Sequence, residues 1–202
     1  MTQLPVNPAP LPWMTDELVL RAFHFAVEAH ATQTRKYTGE PYIYHPIAVA
    51  DILHSTFEKD PPPPFIFAAA LLHDVVEDCG VSFTTLRRDF GDETAVAVMH
   101  LTDLVTHDQG NRETRKLLEA VRIGNAPLYA QLIKLADLVS NTESITKHDK
   151  DFAIVYLKEK SVILDYIAKA WNGNPTALMN EEAVSLFQRA EGFINPPTGT
   201  VH

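Results

Sequence analysis

The sequence predicts an all-helical, single-domain protein, for three reasons. Its 202 residues fit one domain, and a hydrophobic content of 46% is enough to bury a sizeable core. From Asp16 onward the apolar residues recur at helical spacing. No alternating stretch of strand length is strong enough to indicate a sheet. We expect one folded domain over residues 15–194, between flexible segments at 1–14 and 195–202.

The first half of the chain predicts five helices. Thr15 is the expected N-cap of the first, and His45-Pro46 starts the second, because proline suits the first helical position. The segment EKDPPPP ends the second helix, and Gly91 separates the fourth from the fifth. Residues 65–79, FIFAAALLHDVVEDC, are apolar on most sides and predict one buried central helix. The five ranges are 16–29, 45–57, 65–79, 84–90 and 92–105.

The second half predicts four helices after a polar loop at residues 106–111. Gly124 ends the first of these helices, and Pro127 opens the next. The segment WNGNPT separates the last two. The ranges are 112–123, 128–145, 151–170 and 181–193.

Composition narrows the class of function. A formal net charge of −9 argues against a nucleic-acid surface, which needs clustered cations. The N-terminus lacks a basic segment, and no apolar run approaches a membrane span, so we expect a cytoplasmic protein with no membrane contact. The single cysteine, Cys79, excludes an internal disulfide and suits helix packing better than nucleophilic chemistry.

The strongest local motif is HDVVED, residues 73–78. On a helix, His73 lies near Glu77 and Asp74 lies near Asp78, since positions one turn apart share a face. Unpaired charge at the end of an apolar helix is costly, so a bound cation or a water-filled cleft must compensate. Imidazole and carboxylate together suit a divalent transition ion. A bare His-Asp pair is usually chance, so other segments must support this interpretation.

Two further segments give that support. Lys134, Asp137, Asn141 and Ser144 recur at helical spacing along an otherwise apolar helix, which indicates either a stripe facing a cavity or an ordinary solvated face. RKYTGEPYIYHP, residues 35–46, places two cations and a turn before His45. Alone, His45 reads as a cap or a core histidine, and the cations as a solvated pair.

The sequence resembles the HD-type hydrolase domain of RelA/SpoT proteins and of stand-alone small alarmone hydrolases. The resemblance lies in three motifs in this order: RKYTGEPYIYHP, HDVVED and IKLADLVSN. The resemblance covers about residues 18–170 and implies a helical HD-domain bundle. It also implies one divalent metal ion, usually manganese. The implied metal ligands are His45, His73, Asp74 and Asp137. The implied catalytic pair is Glu77 and Asp78. The implied substrate-binding residues are Arg35, Lys36, Lys134, Asn141 and Tyr156.

The resemblance implies a hydrolase that removes the 3′-diphosphate of ppGpp or pppGpp, or of an adenosine analogue, as pyrophosphate. Leu138 departs from the arginine common after the metal aspartate, which leaves substrate detail open. No matching synthetase segment follows, so alarmone synthesis is not expected. The alternatives are another HD nucleotide phosphohydrolase, namely a nucleotidase or an NADPH 2′-phosphatase, and an antitoxin that neutralises a toxic alarmone synthetase.

Overall fold

The computed structural model describes residues 8–195, and the outer parts of the two predicted flexible ends, 1–7 and 196–202, lie outside that range. The chain divides into two compact units, one up to Thr102 and one from Asp103. The described residues are helical throughout, apart from turns and an isolated bridge between Thr34 and Pro41. The predicted all-α class is therefore confirmed. None of the described helices combines the length and apolarity needed to cross a membrane.

The described part of the first unit, from residue 8, contains five helices, with α3 packed against α1, α2 and α5. The apolar residues of α3 from Ile66 to Leu72 are all buried, so this short helix is the centre of the unit. The helix bounds are α1 Glu17–Ala29, α2 Tyr44–Thr56, α3 Pro64–Leu72, α4 Val75–Cys79 and α5 Phe83–Leu101.

The start of α1 corrects one predicted cap. Asp16, not Thr15, is the N-cap, and its carboxylate accepts from the backbone N–H groups of Leu18 and Val19. An ionised carboxylate meets the positive end of the helix dipole as well as its free N–H groups, which favours Asp16 over the neighbouring hydroxyl.

The predicted helix over residues 65–79 is two helices. α3 ends at Leu72, and α4 begins at Val75 after His73 and Asp74. At the end of a helix the last carbonyls lose their helical partners. One of these, the carbonyl of Ala70, accepts from Nδ1 of His73 at 2.7 Å. The break sets His73 and Asp74 in a turn between two helices.

Gly91 separates two helical stretches within α5, as the sequence predicts. Its φ of 85° lies in the left-handed region, which glycine adopts without the steric cost of a Cβ. The second stretch ends at Leu101, four residues before the predicted end, where the hydroxyl of Thr102 donates to the carbonyl of Val98.

The second unit begins with a 3-10 turn at His107–Gln109, inside the predicted polar loop. α8 packs against α6, α7 and α10. α6 ends at Gly124 beside Tyr166 of α8, and a Cβ at Gly124 would lie 2.8 Å from the Cβ of Tyr166, so glycine permits this close packing. The helix bounds are α6 Arg112–Gly124, α7 Leu128–His148, α8 Lys150–Asn172, α9 Pro175–Met179 and α10 Glu181–Ile194. The short α9 was not predicted.

Candidate active site

A tight turn precedes α2 and shapes the first part of the site. The backbone N–H of Tyr42 donates to the carbonyl of Gln33 at 2.9 Å, and that of Arg35 donates to Glu40 at 2.7 Å. Gly39, with φ of 71°, makes the reversal between these paired segments. The turn brings Tyr42 to the start of α2 and places the guanidinium carbon of Arg35 5.9 Å from the centre of the Tyr42 ring.

His45, His73 and Asp74 meet in the first unit, as HDVVED and the His45 motif predict. One ligand atom from each of the three lies within 4.8 Å of the other two. Nε2 of His73 is 3.0 Å and Nε2 of His45 is 3.7 Å from Oδ2 of Asp74. Both histidines are buried, whereas Asp74 is half-buried. These three atoms can therefore hold a metal ion.

The hydrogen bond of His73 fixes which ring nitrogen faces the site. A carbonyl oxygen only accepts, so Nδ1 of His73 carries a proton and donates it to Ala70. In the neutral ring Nε2 then has a lone pair directed toward a carboxylate oxygen, which is favourable only if a cation or a second proton lies between them. Backbone contacts of this kind orient histidines that bind metals. The donor set, two imidazole nitrogens and one carboxylate, fits a divalent transition ion.

Glu77 and Asp78 lie on α4 and are exposed, which corrects the expectation that they sit at the end of a buried helix. The reason is the break after Leu72, which starts a new, short helix at the surface. The backbone N–H of Asp78 donates to the carbonyl of Asp74 at 2.9 Å, so these residues are one turn apart as predicted. Although Asp78 is exposed as a whole residue, its carboxylate is partly shielded from solvent. This burial, and next the negative charge of Asp74, raise the pKa of the Asp78 carboxyl.

Gln33, which follows α1, forms hydrogen bonds that join the end of α1 to α4, the helix that carries Glu77 and Asp78. Its amide nitrogen donates to the carbonyl of Asp78 at 2.8 Å, and its amide oxygen accepts from Nδ1 of the buried His30 at 2.5 Å. The Cys79 sulfur lies 3.3 Å from the same His30 nitrogen. Burial raises the pKa of the Cys79 thiol to about 11, so it stays protonated at neutral pH. This agrees with a packing role for Cys79.

The two cations of the first motif differ in their surroundings. Arg35 is half-buried over the Tyr42 ring, whereas Lys36 is exposed with its ammonium over the ring of Tyr37. The predicted base-binding role of both remains a prediction. Of the two, Arg35 is joined to the site through Tyr42.

In the second unit, α7 brings Lys134, Asp137 and Asn141 together on one face, as their spacing predicts. Nζ of Lys134 donates to Oδ2 of Asp137 at 2.9 Å, and the amide of Asn141 donates to Oδ1 at 2.6 Å. Asp137 is buried, so the stripe is not a solvated face. The place of Asp137 in the ligand set remains a prediction of the motif.

A buried carboxylate that the sequence reasoning missed lies beside this stripe. Glu119 of α6 is 4% exposed and has three ammonium groups around it. The Nζ atoms of Lys116, Lys160 and Lys134 lie 2.7, 3.5 and 3.8 Å from its oxygens. Burial alone raises the pKa of Glu119, but the lysines outweigh it and hold the pKa at about 2. No motif in the sequence of α6 marked Glu119 as a buried residue.

Tyr156 of α8 is buried in the same unit. Burial, and next the nearby Asp137, raise the pKa of its hydroxyl. Nζ of Lys160 lies 5.7 Å from the centre of its ring. Tyr156 is thus adjacent to the lysines around Glu119, and its predicted contact with nucleotide remains a prediction.

The helical fold and the two buried histidines beside the aspartate of a His-Asp dipeptide are features typical of the HD-domain class of proteins. The family model described as HD domain matches residues 22–163. The chain therefore belongs to the HD-domain family, and the resemblance found in the sequence is confirmed.

Similar proteins of known name indicate which branch of the HD-domain family this chain resembles. A zebrafish (Danio rerio) protein named guanosine-3′,5′-bis(diphosphate) 3′-pyrophosphohydrolase MESH1 is 35% identical over 131 residues, which cover 64% of this chain and 70% of that protein. A Synechocystis protein named probable guanosine-3′,5′-bis(diphosphate) 3′-pyrophosphohydrolase is 36% identical over 135 residues. That match covers 63% of this chain but spans only 17% of the cyanobacterial protein.

A solved structure shares the fold. The structure, of a metazoan ortholog of SpoT described as hydrolysing ppGpp, superposes with a TM-score of 0.72 at 24% sequence identity. The superposition covers 88% of this chain and 94% of that one. The predicted HD-domain helical fold is therefore confirmed.

Proposed function

We propose that this chain is a metal-dependent phosphohydrolase that removes the 3′-diphosphate of ppGpp or pppGpp, or of an adenosine analogue, as pyrophosphate. The observation that carries the proposal is the meeting of two histidine Nε2 atoms at one oxygen of Asp74. The substrate class is supported by the three ordered motifs and by the activity in the names of the relatives.

We propose that one divalent ion, manganese, is held by His45, His73 and Asp74, with Asp137 as the fourth ligand that the motif supplies. Imidazole and carboxylate suit manganese, iron and zinc alike, and the resemblance favours manganese. When bound, the ion supplies Lewis acidity, which lowers the pKa of a water molecule and offsets negative charge developing on a phosphoryl oxygen.

Glu77 and Asp78 orient the attacking water and take up its proton. The water oxygen adds to the phosphorus next to the ribose, the bond to the 3′ oxygen breaks, and that oxygen takes up a proton. The raised pKa of Asp78, caused first by burial and then by Asp74, brings this carboxylate closer to the range where a general base is efficient. Positioned acid and base groups typically contribute a factor of roughly 10² to 10⁴.

The nucleotide is bound by residues of the first and third motifs and by Tyr156. Arg35 and Lys36 contact the base, and the half-buried guanidinium over Tyr42 makes Arg35 the more fixed of the two. Lys134, Asn141 and Tyr156 contact the remainder of the nucleotide. The cytoplasmic location remains an expectation from the sequence, and the pairing with a toxic synthetase remains an alternative that the resemblance implies.

Product analysis tests the proposal. Manganese-loaded protein is incubated separately with ppGpp, ppApp and NADPH, and pyrophosphate and orthophosphate are each measured. We expect pyrophosphate from ppGpp, none with Asp74→Ala, and normal release with Asp60→Ala, a change at an exposed site after α2. Orthophosphate from NADPH alone would favour the 2′-phosphatase, and no product from any nucleotide with metal bound would contradict hydrolysis.

A further inference from the structure

Tyr42 is central to the first unit's site although no role follows from the motif that contains it. Its hydroxyl donates to Oδ2 of Asp74 at 2.7 Å, the same oxygen that faces the two histidines. The side chain of Asp78 lies close to the same hydroxyl. One phenol therefore lies between a proposed metal ligand and a proposed catalytic carboxylate.

The ring of Tyr42 makes a second set of contacts. Its centre is 5.7 Å from the ring centre of His45, nearly edge to face, and 5.0 Å from that of the buried His30. The guanidinium of Arg35 lies over the ring. Tyr42 thus touches side chains with three different proposed tasks, namely metal binding, proton transfer and base binding.

The backbone holds Tyr42 in this position. Its N–H donates to Gln33, and its carbonyl accepts from the N–H of His45 at 2.8 Å. Gln33 in turn donates from its side chain to the Asp78 carbonyl. The residue is therefore fixed both to the first turn of α2, which carries His45, and to the helix that carries Asp78.

A phenol has one proton and can donate it to only one carboxylate at a time. A carboxylate oxygen has two lone-pair sites, so Oδ2 of Asp74 can accept from Tyr42 and still bind a cation. Without the hydroxyl, Asp74 would still face the like charge of Asp78 one helical turn away, and it would lose the donor that fixes its rotamer.

We propose that Tyr42 is a positioning residue whose hydroxyl orients Asp74 for metal binding, next to Asp78, while its ring supports Arg35. This inference rests on the proposed metal-dependent function. The two parts of the side chain have separable effects, because the hydroxyl donates to Asp74, whereas the ring contacts Arg35 and the imidazoles of His45 and His30.

The first test uses the full-length protein, metal-free, titrated with Mn²⁺ alone while free Mn²⁺ is followed by electron paramagnetic resonance. We expect Tyr42→Phe to weaken Mn²⁺ binding by about 10- to 100-fold, the usual effect of losing a partner of a metal ligand. Tyr44→Phe is the matched control, since it removes the same atom from an exposed ring two residues away. It should bind Mn²⁺ within about twofold of wild type. Circular dichroism at the assay temperature verifies that each variant is folded.

The second test measures ppGpp turnover at saturating Mn²⁺. For Tyr42→Phe we expect kcat to fall at least roughly tenfold and KM to stay within about twofold, since the proposed task of the hydroxyl is to orient Asp74 and not to bind substrate. Tyr42→Leu should in addition raise KM about two- to fivefold, the worth of an exposed cation–π contact.

The outcomes separate this inference from the proposed function. Tyr42→Phe and Tyr44→Phe with the same Mn²⁺ affinity and the same kcat would overturn the positioning role, whatever the substrate. A tenfold weaker Mn²⁺ affinity in Tyr42→Phe, with no product from ppGpp in wild type, would support the positioning of Asp74 and overturn the proposed substrate. A rise in KM alone in Tyr42→Phe would contradict the assignment of the hydroxyl to the carboxylates.

Discussion

Replacing Glu119 by glutamine tests the buried ion cluster of the second unit through its pH dependence. The three lysines lower the pKa of Glu119 from 4.5 to about 2 against the opposing effect of burial. A carboxylate with a lowered pKa in the folded state stabilises the fold above its unfolded pKa, and this stabilisation is lost as the pH falls toward the folded value. Acid should therefore remove the contribution of Glu119 between about pH 4.5 and pH 2.

The size of the effect follows from the same two values. A pKa difference of about 2.5, at about 1.4 kcal/mol for each pH unit, corresponds to about 3 kcal/mol at pH 6. About 2 kcal/mol of this should be lost by pH 3. The neutral-pH value also agrees with the roughly 3–5 kcal/mol that removal of one partner from a buried ion pair usually costs.

The assay is urea unfolding of wild type and Glu119→Gln at pH 6 and pH 3. We expect the free energy of unfolding of the variant to be lower by about 3 kcal/mol at pH 6 and by about 1 kcal/mol at pH 3. Glu113→Gln is the matched control, because it makes the same change on the exposed first turn of α6. Its difference from wild type should be the same at both pH values. An equal loss for Glu119→Gln at pH 6 and pH 3 would refute the assigned role of the lysines.

Three further predictions concern the first unit. His73→Ala should lose bound Mn²⁺ on gel filtration, because it removes one of the two imidazoles at Asp74; full metal content would exclude His73 as a ligand. Glu77→Gln should keep its Mn²⁺ and lose turnover by roughly 10²-fold or more, and full turnover would remove Glu77 from the mechanism. Arg35→Ala should raise KM for ppGpp more than it lowers kcat, since base contacts are present in ground and transition states alike. An unchanged KM would contradict base binding by Arg35.

Helical periodicity predicted most of the elements because their apolar stripes are strong. The starts of α6, α7 and α10 agree with the sequence prediction, and α6 and α10 end one residue after their predicted ends. By contrast, α7 continues three residues past its predicted end at residue 145. The break between α3 and α4 could not be predicted in this way, since residues 73–79 contain no proline and Gly80 follows them. At the break, the side chain of His73 donates a hydrogen bond to the carbonyl of Ala70 near the end of α3, and helical periodicity does not reveal this contact.

Motif order predicted that His45, His73 and Asp74 lie together, but not the contacts that orient them. His73 and Asp74 are neighbours in the sequence. That His45 also faces Oδ2 of Asp74 depends on where α2 packs against α3. Glu119 gave no signal because one glutamate on an amphipathic helix resembles a surface residue until its burial is known. Its three lysines are spread over α6, α7 and α8, and only tertiary packing joins them.

Tyr42 is a residue of the candidate site whose contacts the sequence motif alone does not reveal. In GEPYIYHP two tyrosines lie two positions apart, and nothing in the sequence distinguishes them. The turn closed by Gln33 directs Tyr42 toward Asp74 and leaves Tyr44 exposed at the start of α2. The same turn brings Arg35 over the ring, so that one local reversal places a cation, a phenol and the following histidine in sequence along the site. A change that alters this turn should therefore affect metal binding and substrate affinity together, although the turn itself supplies none of the proposed metal ligands.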